Sequence, residues 1–175
     1  MRKILFALVA LVIVFVVVVA LQPSDYRVAR TTTIAAPVGE VFARVNDFHK
    51  WEAWSPWAKL DPDAKVTFEG PDSGNGAIMT WAGDENVGVG KMTLVTSKPD
   101  EAVNIQVEFT EPFEGGTNSD LNFAPKGDQT EVVLAMHGHH GFVEKAFCLV
   151  MNGLDMMGGD IEKGLAQLKA VAEQG

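Results

Sequence analysis

Residues Ile4 to Leu21 are eighteen consecutive apolar side chains, preceded only by Met1, Arg2 and Lys3. At about 1.5 Å per helical residue such a run spans roughly 27 Å, enough to cross a hydrocarbon core. Arg2 and Lys3 stand before it, whereas Gln22-Pro23-Ser24-Asp25 follows without a positive charge. The positive-inside rule then places the N-terminus in the cytoplasm and everything after residue 22 outside it, periplasmic or extracellular. The rival reading is a cleaved signal peptide with Val18-Val19-Ala20 as its cleavage site, the domain being secreted after cleavage near Ala20. The run is longer than the usual signal-peptide core, which favours a retained anchor. Both readings export the domain.

The chain therefore divides into an anchor or signal segment, residues 1–22, and one domain, residues 26–175. From Asp25 onward lie all 23 acidic residues against 12 of the 14 basic ones, a net charge of −11. An acidic surface without a basic patch argues against nucleic acid and against anionic headgroups. A linker of about four residues reaches at most roughly 14 Å, so a retained anchor holds the domain close to the bilayer. The single cysteine, Cys148, allows no intramolecular disulfide. Its neighbours Phe147, Leu149 and Val150 make it a small buried hydrophobe rather than a reactive thiol.

Tyr26 to Ile34 is Thr- and Val-rich and predicts a strand. Pro37 opens a helix whose apolar stripe is Val38, Val41, Phe42 and Val45. A short aromatic segment, Phe48 to Lys59, follows. From Lys65 to His137 short strands alternate with Gly, Pro and Asp turns. Val103 to Phe109, the cleanest of them, has strict period-2 alternation. Phe147, Val150, Leu154, Met157, Ile161, Leu165, Leu168 and Ala172 then recur every three to four residues, predicting one long C-terminal helix. Gly153 and Gly158-Gly159 fall inside it, each costing about 1 kcal/mol relative to Ala, and mark a bend or hinge. This order predicts an α+β helix-grip fold: a curved antiparallel sheet of about seven strands around a long C-terminal helix, preceded by one transmembrane helix.

Several local patterns agree with that order. They are Thr33-Ile34-Ala35-Ala36-Pro37 with Val41-Phe42; Trp51, Trp54, Pro56 and Trp57 followed by Asp61-Pro62; and Gly70-Pro71-x-x-Gly74-x-Gly76 leading to Trp81. Gly88-x-Gly90, Pro112-Phe113 and Gly164-Leu165-x-x-Leu168-Lys169 complete the set. From about Arg27 to Glu173 the chain resembles the START-like superfamily, also called SRPBCC, in its polyketide cyclase/dehydrase-like group. The resemblance implies a cavity between sheet and helix. It implies no particular reaction, because the superfamily contains lipid carriers, cyclases and hormone receptors.

Polar candidates are few. His137-Gly138-His139-His140 holds three imidazoles, but at no standard zinc spacing and with no acidic or Cys partner at a fixed offset; no metal site is assigned. Glu108, Glu111 and Glu114 can in principle supply acid and base, yet Glu108 alternates away from Val107 and Phe109 toward solvent, and the other two lie in a turn. Asp84 and Glu85 occupy another turn. No Gly-x-Ser-x-Gly occurs, Cys148 has no obvious base beside it, and the Gly-rich turns do not lead into helices as a phosphate loop does. No catalytic residue and no cofactor is assigned.

The remaining candidate is the cavity. Its expected lining is Met79, Trp81, Met92, Leu94, Phe109, Leu121, Phe123, Leu134 and Met136 from the strands, with Phe147, Met151, Leu154, Met157 and Ile161 from the helix. Methionine suits an adaptable apolar pocket. The alternative is a filled core. Trp51, Trp54 and Trp57 either gate the pocket mouth or brace the second helical segment. Three functions follow: a membrane-anchored binding module for a hydrophobic small molecule or lipid; a structural or interaction protein with a filled core; and a cyclase- or hydrolase-type enzyme using His137 or a cavity carboxylate. If Met136 lines the cavity, alternation turns His137 away from it.

Overall fold

A computed structural model describes residues 2–112 and 114–174. Phe113, half of the Pro112-Phe113 pattern, lies outside the described residues, as do Met1 of the expected segment 1–22 and Gly175 of the expected domain 26–175. The apolar run forms α1 (Arg2–Leu21), and the chain reverts to extended backbone at β1 (Asp25–Ile34). Helix α2 (Val38–Val45) and two 3-10 turns (Phe48–Ala53 and Trp57–Lys59) come next. The strands β2 (Lys65–Glu69), β3 (Ile78–Ala82), β4 (Val89–Lys98), β5 (Ala102–Glu111), β6 (Gly115–Lys126) and β7 (Gln129–His139) follow, then α3 (Phe142–Met151) and α4 (Gly153–Ala172).

The fold is α+β. All seven strands form one curved antiparallel sheet in the order β1-β7-β6-β5-β4-β3-β2. β2 to β7 meander, each pairing with its neighbour in sequence, and β1 closes the far edge against β7. The period of two sorts the side chains. Val103, Ile105 and Val107 of β5, Leu121 and Phe123 of β6, and Val132 and Leu134 of β7 are buried on the concave face. The convex face is polar: Asp120 accepts from Asn104 Nδ2 at 2.8 Å and lies 3.0 Å from His137 Nε2 and 3.6 Å from Arg27 Nη1.

Helix α2 buries Val41, Phe42 and Val45, the stripe its spacing predicts. Pro37 precedes its first turn in extended conformation, and the buried Thr130 hydroxyl donates to Ala36 O at 2.8 Å, tying that end to β7. The other end is held by the aromatic segment. Trp51 Nε1 donates to Val45 O at 2.9 Å and Trp54 Nε1 to Arg44 O at 3.2 Å, satisfying carbonyls that the last turn leaves without helical partners.

The C-terminal segment departs from expectation. It is two helices rather than one, because Asn152 adopts a left-handed conformation (φ 55°, ψ 43°) that ends α3. A Cβ at Gly153 would lie 2.9 Å from Cys148 Sγ, so the chain turns where a side chain would crowd it. Gly158-Gly159, the other expected bend, runs through the interior of α4. There the Arg30 guanidinium lies across the helix, its Nη2 2.3 Å from the place a Gly158 Cβ would occupy.

Candidate functional site

Two halves of the sheet's concave face differ in what covers them. α4 packs along β1 and touches β7, α2 and the first 3-10 turn. Its Ile161, Leu165, Leu168 and Ala172 are buried among Ile34, Val41, Val45, Leu94, Val103, Leu121, Phe123, Val132 and Leu134. That half is a filled core. Toward β3, β4 and the end of β5 no helix lies over the sheet to the same degree: Met79, Trp81 and Met92 are only partly buried against the core, and Phe109 is exposed, while Met136 of β7 and Met157 of α4 are partly buried beneath the C-terminal helices.

The register brings these side chains together. Met79 stands opposite Met92, and Trp81 opposite Gly90, which in turn stands opposite Phe109. The indole covers Gly90 so closely that a Cβ there would fall 2.3 Å from Trp81 Cζ2. Trp81 and Phe109 meet edge to face, ring centroids 5.5 Å apart, and the indole N–H donates to Val87 O at 3.3 Å. The result is a half-exposed apolar stretch of the concave face, a trough in the sense that methionine and aromatic side chains line it and no helix seals it, with buried Thr117 and Ser119 on the inward face of β6 beside it.

The expected lining therefore falls into four groups. Leu94, Leu121, Phe123, Leu134 and Ile161 lie in the filled half; Met79, Trp81, Met92 and Phe109 lie at the open end, and Met136 of β7 and Met157 of α4 are partly buried. Phe147 and Met151, on α3, and Leu154, at the start of α4, are exposed. The first turn of α3 approaches the open end, since Glu144 Oε1 lies 3.5 Å from the position of a Cβ on Gly115, the register partner of Phe109. Trp51 and Trp54 are buried in the brace on α2, and Trp57 is half-buried in the second 3-10 turn.

The three imidazoles of residues 137–140 have separate surroundings. His137 meets Asp120 on the convex face, His139 Nδ1 lies 2.9 Å from Asp25, and His140 stacks on Tyr26 with centroids 4.1 Å apart. Among the described residues no three His, Cys, Asp or Glu side chains converge as a metal site would require. Glu108 pairs with Lys91 at 2.9 Å beside a shallow cleft of about 370 Å³ across β3 to β5. Hydrogen bonds from Asn86, first its backbone and then its side chain, hold the Asp84 carboxyl below the usual carboxylate range.

One group of polar residues was not foreseen. A cleft of about 410 Å³ lies between the linker, the start of β1 and α3, lined by Gln22, Tyr26, His140, Lys145, Cys148 and Leu154 among others. His140 Nε2 is 4.0 Å from Cys148 Sγ, so the thiol does have a base near it. Burial first, and then the Glu144 carboxylate, push that thiol up, which keeps it protonated and a poor nucleophile. Burial likewise raises the Tyr26 phenol, with a hydrogen bond involving Thr117 opposing it in part. An eight-residue separation across a strand end and a helix gives no sequence pattern from which this contact can be read.

A curved antiparallel sheet gripping a C-terminal helix defines a helix-grip fold. The chain belongs to the family described as "Polyketide cyclase / dehydrase and lipid transport", whose model matches residues 25–173, and membership suggests binding of a hydrophobic ligand. Solved structures share the fold at low identity. The di-domain ARO/CYC StfQ from the steffimycin biosynthetic pathway is 12% identical at a TM-score of 0.64, over 86% of this chain and 51% of that one. The Aha1 dimer from Colwellia psychrerythraea is 15% identical at 0.61, over 85% and 96%. Protein MLL2253 from Mesorhizobium loti is 12% identical at 0.64, over 85% and 98%. No curated protein matches the chain in sequence.

Proposed function

We propose that this protein is a membrane-anchored, extracytoplasmic binding module that takes a hydrophobic small molecule or lipid into the trough between the sheet and its C-terminal helices. The observation that carries this reading is the open end of the concave face. Met79 and Met92 with Trp81 and Phe109 stay partly exposed there, Met136 and Met157 under the C-terminal helices are partly buried too, and the opposite half is packed solid. Unbranched thioether side chains reshape at low cost around an apolar guest, and a concave, mostly apolar lining is what small-molecule sites have in common. Family membership supports the same ligand class.

The anchor reading rests on α1, a twenty-residue helix near the N-terminus whose most apolar eighteen-residue stretch has a mean hydropathy of 3.6, a length and composition that suit a membrane span or a signal sequence. Arg2 and Lys3 before it favour a cytoplasmic N-terminus. An interaction protein is the second reading, favoured by the filled half of the core. An enzyme is less well supported, because His137 and Glu108 face outward, the one 3.0 Å from Asp120 and the other paired with Lys91.

Native mass spectrometry of full-length protein, extracted gently from its own membrane, tests the proposal. The expected result is a stoichiometric lipid-like mass on a chain that keeps residues 1–20. A chain that is empty and also fails to bind a fluorescent fatty acid would end the binding reading in favour of the interaction protein. A mass lacking those twenty residues would end the anchor reading.

A further inference from the structure

Helix α3 has almost no polar side. Phe142, Val143, Ala146, Phe147, Leu149, Val150 and Met151 are apolar, against Glu144, Lys145 and the half-buried Cys148. A helix apolar nearly all round belongs in a protein core or in lipid. α3 is in neither the core nor a crevice of this chain: Val143 is 79%, Phe147 62% and Val150 67% exposed. Spaced at three to four residues, these three form one outward stripe. An apolar surface of this kind marks a place where something else binds.

Its position says what covers it. α3 packs against the end of α1, where Val19 is fully buried although the rest of that helix is exposed. Lys145 Nζ donates to Gln22 O at 3.2 Å, Ala20 O at 3.4 Å and Ser24 Oγ at 3.5 Å, so the cation caps the C-terminal end of α1. His140 N also donates to Ser24 O at 2.7 Å, fixing the linker to the loop before α3. The outward stripe of α3 is thus held at the level where α1 ends. If α1 spans the bilayer, that level is the headgroup–acyl boundary on the exit side.

We infer that α3 is a membrane-interface helix whose Val143-Phe147-Val150 stripe lies among lipid acyl chains beside the exit of α1. This rests on the anchor reading above. It extends that reading by giving the membrane a second, non-spanning contact and by fixing how the domain faces it. Because the first turn of α3 lies near Gly115 and hence near Phe109, the open end of the trough is turned toward the lipid surface. The domain's negative charge does not oppose this contact, since α3 offers one Glu and one Lys and otherwise only apolar side chains.

The test uses full-length protein in phosphatidylcholine nanodiscs, with Cys148→Ser as background. Single substitutions Val12→Cys, Val143→Cys, Val150→Cys and Asn122→Cys each carry an environment-sensitive fluorophore, read by brominated-lipid and iodide quenching. The expected result is a deep label at 12, labels at 143 and 150 roughly 5–10 Å into the headgroup–acyl boundary, and an aqueous label at 122. Labels at 143 and 150 as open to iodide as the one at 122, with 12 in hydrocarbon, would overturn the inference and leave the anchor standing. A label at 12 in water would overturn both. Disulfide cross-linking of two copies through position 143 without lipid quenching would mean that a second chain covers α3, and would also overturn it.

Discussion

Helices α3 and α4 are neighbours in sequence and both rich in apolar residues, yet they live in different surroundings. On α4, Ile161, Leu165 and Leu168 are sealed against the sheet, with Leu168 0% exposed. On α3, fourteen residues before Ile161, Phe147 is 62% exposed. The hydrophobic effect acts on both in proportion to the area removed from water. It is satisfied for α4 within the chain and left open for α3. An apolar side chain therefore reports where the chain needs cover, and only the geometry says whether the chain supplies it.

The sharpest way to break this contrast is to truncate each helix in turn. Leu168→Ala is expected to destabilise the domain by about 2–5 kcal/mol in denaturant unfolding, whereas Phe147→Ala should shift it by no more than about 0.5 kcal/mol. Equal losses would mean that α3 belongs to the core. Next in size is Gly90→Ala, which drives a methyl into the Trp81 ring and toward Glu108 O. A cost of about 1–3 kcal/mol, with loss of apolar-probe binding, is expected; probe binding unchanged would remove Trp81 from the site. In the closed half, Trp51→Phe deletes the donor to Val45 O. It should cost about 1 kcal/mol without altering probe affinity, and a weakened probe would return Trp51 to the pocket mouth.

The smallest effect concerns pH at the cleft between the linker and α3. Because burial raises the Cys148 thiol, the folded chain keeps a proton that the unfolded chain releases at lower pH. Stability from this group is therefore present below the ordinary thiol range and declines as pH rises through the raised value. Alkylation of the native protein by iodoacetamide should show a midpoint above that of the denatured chain. A midpoint below it would make Cys148 an activated thiol paired with His140.

Local patterns carried much of the fold. The alternation from Val103 to Phe109 already assigned inside and outside for β5, and Val107 and Glu108 obey it. It also turned His137 away from Met136, as their placement on opposite faces shows. The aromatic segment was less legible. Nothing in the spacing of Trp51 and Trp54 says that their indole N–H groups meet the last carbonyls of α2, since that depends on how a 3-10 turn folds back. The break at Asn152, next to the expected bend at Gly153, was legible only as one of several choices. Three glycines competed as bend points, and the contact of Arg30 over Gly158, which explains a glycine inside an unbroken helix, joins residues far apart in sequence.

The sequence by itself determined the apolar first helix, the strand periods, the turns and the helix-grip order, because each follows from side-chain polarity and backbone preference over a few residues. Only the tertiary structure decided which apolar residues are core and which are surface, and which polar residues meet. Met79 and Leu94 occupy inward strand positions alike, yet one borders an open trough and the other is sealed. The physical reason is coverage: burial depends on where α4 comes to rest across a curved sheet, and that is settled by packing among elements distant along the chain.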